Sequence, residues 1–252
     1  MEQHIVKGFD RDLDKIKDHI NKIAGLVESQ LAYAYQSLNE RDILVAEKVV
    51  VRDKKIDKLY QELLDMSIHV FALRQPLAID LRYVISSIKI ASDLEKIGDQ
   101  SKNIAKASSW LSKLPVNQKV LSVDNLFDLV NSNFRKVVNS FNEEDLKDVK
   151  AIWLNDAEVN KSYDILFRET LTYMLEDTKN IPSCTQIISV AKNLERIGDQ
   201  IQNIAEMIYY YVTGNHITQK ISPKEMKIYK KEKKYKTDIS NIFKKAKLIV
   251  KK

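Results

Sequence analysis

A chain of 252 residues that is 44% apolar and 30% charged, with only five glycines and four prolines, has ample surface for a core and too few turn residues for a β-rich fold. No apolar run of about 18 residues exists to cross a membrane, no apolar stretch marks a secretory signal near the N-terminus, and the single Cys184 reads as a small buried hydrophobe, so a cytoplasmic protein is expected. The net charge of +6 is uneven: residues 215–252 hold thirteen lysines and no arginine against Glu225, Glu232 and Asp238, a tail of +10 that leaves −4 for the rest.

Apolar residues at helical spacing predict six helices, over residues 9–38, 42–72, 77–112, 118–141, 143–178 and 182–213. Asn39, Glu40 and Arg41 separate the first two. Pro76 stands near the first position of the third helix, where its missing N–H costs nothing, and Pro115 ends that helix. Pro182 opens the sixth and Gly214 closes it.

The chain repeats itself. LEKIGDQ starts at Leu94 and LERIGDQ at Leu194, 100 residues later, and NIA follows at Asn103 and Asn203. Upstream, DKKIDKLY from Asp53 matches DAEVNKSY from Asp156 at a spacing of 103. Such self-similarity indicates an internal duplication. The expected fold is all-α, two similar antiparallel three-helix bundles over residues 5–115 and 116–214, followed by the lysine-rich tail 215–252.

Four helices carry acids in line with apolar residues. In the third, Leu77, Leu81, Val84, Ile88 and Ala91 continue to Glu95 and Asp99; in the sixth, Ile188 and Ala191 continue to Glu195 and Asp199. In the second, Ala46, Val50, Asp53, Asp57, Tyr60 and Leu64 share a side, and in the fifth Trp153, Asp156, Asn160, Tyr163 and Phe167 do so. At about 1.5 Å rise per residue, acids of the second and third helices lie at matching levels on either side of the turn near residues 74–75. The same holds for the fifth and sixth.

Carboxylates gathered in this way need ion pairs, raised pKa values or bound cations. Lys96 and Arg196 are the nearest neutralisers in sequence. Oxygen-only donors otherwise suit hard cations such as Mg²⁺, Ca²⁺ or Mn²⁺, and carboxylates also hold iron. Gly98 and Gly198, each between two acids, point either to a close helix crossing or to room for an ion.

RQPLAIDLR (74–82) followed by DLEKIGDQSKNIA (93–105), with the second LERIGDQ, resembles the PhoU family of phosphate-transport accessory proteins over about residues 5–214. The resemblance implies two three-helix bundles with multinuclear clusters of divalent or trivalent metal ions (Mg, Mn, Fe or Zn). It implies a homodimer without enzymatic activity that restrains a phosphate-sensing histidine kinase while phosphate is plentiful and contacts the ATPase of the phosphate ABC transporter. The family's acidic motif falls on Glu95 and Asp99, and on Glu195 and Asp199; the supporting acids fall on Asp53, Asp57 and Asp156. Asn160 departs from the fuller acidic pattern of the first repeat.

The residues leave two other functions open. A carboxylate-bridged metal hydrolase would use bound ions to activate water, yet no P-loop, G-x-G-x-x-G, H-E-x-x-H or E-x-x-H element occurs. The tail segment KIYKKEKKYK (227–236) interleaves lysine with tyrosine and could meet nucleic acid or an anionic surface. A solvated extension is the plainer reading of that tail.

Overall fold

The computed structural model describes residues 7–114 and 122–217, without the side chains of residues 7 and 154–156. Six helices run as α1 (Lys7–Glu40), α2 (Ile43–Arg74), α3 (Ala78–Leu111), α4 (Asp124–Glu143), α5 (Leu146–Glu176) and α6 (Ile181–Thr213). A 3-10 turn, Thr178–Asn180, precedes α6, and no strand occurs among the described residues. The all-α expectation holds.

Arg41 and Glu144 take the left-handed position that glycine usually fills at a helix end, and the aspartate after each caps the next helix. Arg41 ends α1 in the left-handed region at φ 53°, and Asp42 then caps α2 by accepting from the amides of Leu44 (2.8 Å) and Val45 (3.1 Å). The second repeat uses the same device: Glu144 sits at φ 55°, and Asp145 accepts from the Lys147 amide at 2.8 Å. Gly214 closes α6 as expected, left-handed at φ 74°, its N–H donating to the Tyr210 carbonyl at 2.8 Å.

Most boundaries fall within one to three residues of the sequence reading, and two of the departures have a clear local cause. Pro76 is not at the first position of α3; it precedes the N-cap Leu77, and Gln75 caps α2 at φ 46°. A residue before proline is pushed out of the right-handed helical region, so the turn forms one step earlier. α5 stops at Glu176 because Asp177 adopts an extended conformation and caps the 3-10 turn, accepting from the Lys179 amide at 2.9 Å. The expected start of the fourth helix at 118 and the stop at Pro115 fall outside the described residues.

Each repeat is a three-helix set, and the sets are joined across α3 and α6, which make the most extensive helix contact in the molecule. α1 also meets α4, and the helical body up to Asn215 is one compact unit. Ile90, Leu94 and Ile97 of α3 and Val190, Leu194 and Ile197 of α6 are fully buried. The duplicated motif therefore lies at the centre, where the two repeats share a core. Cys184 is a buried free thiol whose pKa burial raises, as a structural hydrophobe requires.

Candidate acidic site

The buried seam of α3 does not follow the line drawn from its sequence. Leu77, taken as the start of that line, is 77% exposed. Val84 and Ala91 of that line are buried and Leu81 and Ile88 half-buried, but the seam is completed by Ile90, Leu94, Ile97 and Ile104, beside the line. Glu95 and Asp99 are half-buried and flank this seam on the side where α2 packs. In α2 only Asp53 lies within the buried seam, at 3% exposure, while Asp57 is exposed. A helix packed on three neighbours buries a wide face, so a residue on a seam's edge keeps contact with water.

The four acids of the first repeat still meet, and a lysine meets them. The Lys102 ammonium, one turn beyond Asp99 on α3, donates to Asp53 Oδ2 across on α2 and to Asp99 Oδ1 on its own helix. Asp53 Oδ1 accepts from Gln30 Nε2 at 3.0 Å, and the same amide donates to the Gly98 carbonyl at 3.0 Å. Gln30, on α1, is only 1% exposed. One buried carboxylate thus ties α1, α2 and α3 together.

The electrostatics follow from this placement. Partial burial and the negative charge of Asp53 push Asp57 above the usual carboxylate range, with Asp99 adding to the effect and Lys102 opposing it. Glu95 is raised by burial first, then by Asp99, Asp57 and Asp53. Burial disfavours the Lys102 ammonium, but its bonds to Asp53 and Asp99 outweigh that and hold it well above the ordinary lysine range.

The second repeat arranges its charges differently. Lys192, one turn before Glu195, places its ammonium 2.8 Å from both carboxylate oxygens. The same ammonium lies 5.4 Å from the centre of the Tyr163 ring of α5. Asp199 and Asn160 are half-buried. The side chain of Asp156 lies outside the described residues. The position that corresponds to Lys102, 100 residues on, is Gln202.

Gly98 and Gly198 mark close helix crossings. A Cβ at Gly98 would stand 3.0 Å from Ile56 Cδ1 of α2, and one at Gly198 would stand 3.0 Å from Val159 Cγ1 of α5. Both glycines admit a branched aliphatic side chain from the neighbouring helix.

The donor chemistry is that of a hard-cation site, but the side chains as placed do not form a metal cage. Among the described residues no group of three or more carboxylate, imidazole or thiol donors is arranged to hold an ion. At the first cluster the physical reason is visible: the ammonium of Lys102 takes the bridging position. The expected neutralisers act elsewhere or outward, since Lys96 bonds the buried Asp93 at 2.8 Å and Arg196 is exposed. Lys102 and Gln30 were missed by the sequence reading. Their signals were a lysine three residues after Asp99 and a glutamine at apolar spacing after Ile23 and Val27.

A family model described as the PhoU domain matches the chain twice, over residues 11–108 and 123–208. The chain is 36% identical over 219 residues to a phosphate-specific transport system accessory protein PhoU homolog of Caulobacter vibrioides, covering 86% of this chain and 95% of that protein. It is 37% identical over 212 residues to the protein of the same description from Rhizobium meliloti, covering 84% and 90%. A crystal structure of PhoU from Pseudomonas aeruginosa superposes with a TM-score of 0.79 at 31% identity, over 82% of this chain and all of that one. The phosphate transport system regulatory protein PhoU from Streptococcus pneumoniae gives 0.77 at 27% identity, over 83% and 99%.

Proposed function

The chain belongs to the PhoU family, and from that membership we propose that it is a negative regulator of phosphate uptake and phosphate-starvation signalling. It works on the cytoplasmic side as an accessory protein, by contact and without turnover. Its partners are a phosphate-sensing histidine kinase and the ATPase of the phosphate ABC transporter. Two copies of the chain associate as a homodimer. The names carried by its relatives, phosphate-specific transport system accessory proteins, support the phosphate-transport role. The observation that carries the reading is the duplicated LEKIGDQ and LERIGDQ pair, set on α3 and α6 where the two matched domains share their core.

Metal dependence is the second part of the proposal. It rests on the resemblance and on the oxygen-only chemistry of the acids. A divalent or trivalent ion is proposed at Asp156, Glu195 and Asp199, where it would take the place of the Lys192 ammonium on Glu195; Gln202 brings no charge to the position that Lys102 fills in the first repeat. An ion there would supply local positive charge and so let an acidic group of a partner approach a body of net charge −4.

Deletion of the gene tests the regulatory reading. Phosphate-starvation genes should then stay active in high phosphate, and the native gene should restore repression. Normal repression in a clean deletion, with no second copy present, contradicts it.

A further inference from the structure

The first acidic cluster carries its own cation. Lys102 joins Asp53 of α2 to Asp99 of α3, which is the cross-link a bound ion would otherwise make. Both oxygens of Asp53 are engaged, Oδ2 by Lys102 and Oδ1 by the buried Gln30 amide. The ammonium is tethered, so it does not dissociate into solution as a free ion does. A divalent ion placed between the same two carboxylates would be repelled by the ammonium or would have to expel it.

The two motifs differ at three of their twelve positions, Lys96/Arg196, Ser101/Ile201 and Lys102/Gln202, and of these only the last changes the charge. LEKIGDQSKNIA has Lys102 where LERIGDQIQNIA has Gln202. The second repeat holds its lysine, Lys192, on the opposite side of the glutamate. The substitution is therefore local to the bridging position and leaves the fold of the repeat intact.

We propose that Lys102 is the resident counter-cation of the first cluster, in place of a metal ion, so that this cluster holds its charge balance and its helices without metal. The inference rests on the reading of the acidic motif as a cation-holding element.

The test uses the full chain with Glu195→Gln and Asp199→Asn, which silences the second cluster. In that background the native Lys102 is compared with Lys102→Gln, which installs the residue found at the matching place, and with Lys102→Arg, which keeps the charge. The readouts are bound Mn²⁺ after equilibrium dialysis and the melting temperature with and without Mn²⁺. Lys102→Gln should bind Mn²⁺ and gain roughly 5 °C or more at a hundredfold excess over its Kd. The native lysine and Lys102→Arg should do neither. If Lys102→Gln does not fold in chelator, Lys102→Met takes its place, because the methionine keeps the stem. Equal Mn²⁺ binding by the native lysine and Lys102→Gln overturns the proposal, as does absence of binding in both neutral variants. A separate chain with Asp53→Asn and Asp99→Asn and an intact second cluster reports on metal in the second repeat, so that reading fails or stands independently.

Discussion

At the residue scale, Asp53 is the point on which the first repeat turns. It is 3% exposed and takes hydrogen bonds from Lys102 and Gln30, residues of two other helices. Removing one partner of a buried pair costs about 3–5 kcal/mol. Lys102 keeps 23% of its side-chain surface, so Lys102→Met should cost less, about 2 kcal/mol in a denaturant titration without metal. Unchanged stability would mean that the pair is incidental. Asp57 and Glu95 give a pH signature. Their folded pKa values are raised, so the folded state holds their protons more tightly than the unfolded chain does. Their contribution is fully present below the ordinary carboxylate range and is lost as pH rises through the shifted values. Asp57→Asn with Glu95→Gln should therefore flatten the decline in stability between mildly acidic and neutral pH, measured in chelator. The acids themselves could be read from sequence because they recur at fixed spacing. Lys102 could not be singled out so easily, because a lysine on a helix usually faces solvent and only the packing of α2 against α3 brings its ammonium to Asp53.

At the scale of the element, the helices were legible because apolar spacing runs unbroken between few punctuation points. The exceptions are instructive. Arg41, Gln75 and Glu144 adopt positive φ without being glycine, so composition does not flag them. Pro76 stands just before the N-cap Leu77 and not at the start of α3, because its effect falls on the residue before it. The hairpin tip leaves Leu77 exposed, while Val84 and Ala91 of the same line are buried in a wider face that also takes in Ile90, Leu94 and Ile97. Gly98 shows what the seam needs. Its missing side chain lets Ile56 approach to 3.0 Å of where a Cβ would be. Gly98→Leu should destabilise by about 1–3 kcal/mol through overpacking. Ile56→Ala should recover part of that loss when combined with it, since the two side chains compete for one space. Simple additivity in the double mutant would place the clash elsewhere.

At the scale of the molecule, the duplication is more than a tandem of like parts. α3 and α6 pack on each other more extensively than on any helix of their own repeats. A fragment of residues 1–114 would leave the α6-facing side of α3 in water, and a large exposed apolar face favours association. That fragment should be helical but aggregated or self-associated in sedimentation, and a stable, well-folded monomer would contradict the shared core. The proposed role is restraint of phosphate uptake by direct contact through the acid-bearing helices. The most direct measurement is calorimetric binding of the purified transporter ATPase to the full chain and to its Glu195→Gln, Asp199→Asn variant, both shown to be folded. The account predicts saturable binding by the native chain and at least tenfold weaker binding by the variant. Native affinity retained by the folded variant, or absence of binding by the native chain, would contradict it.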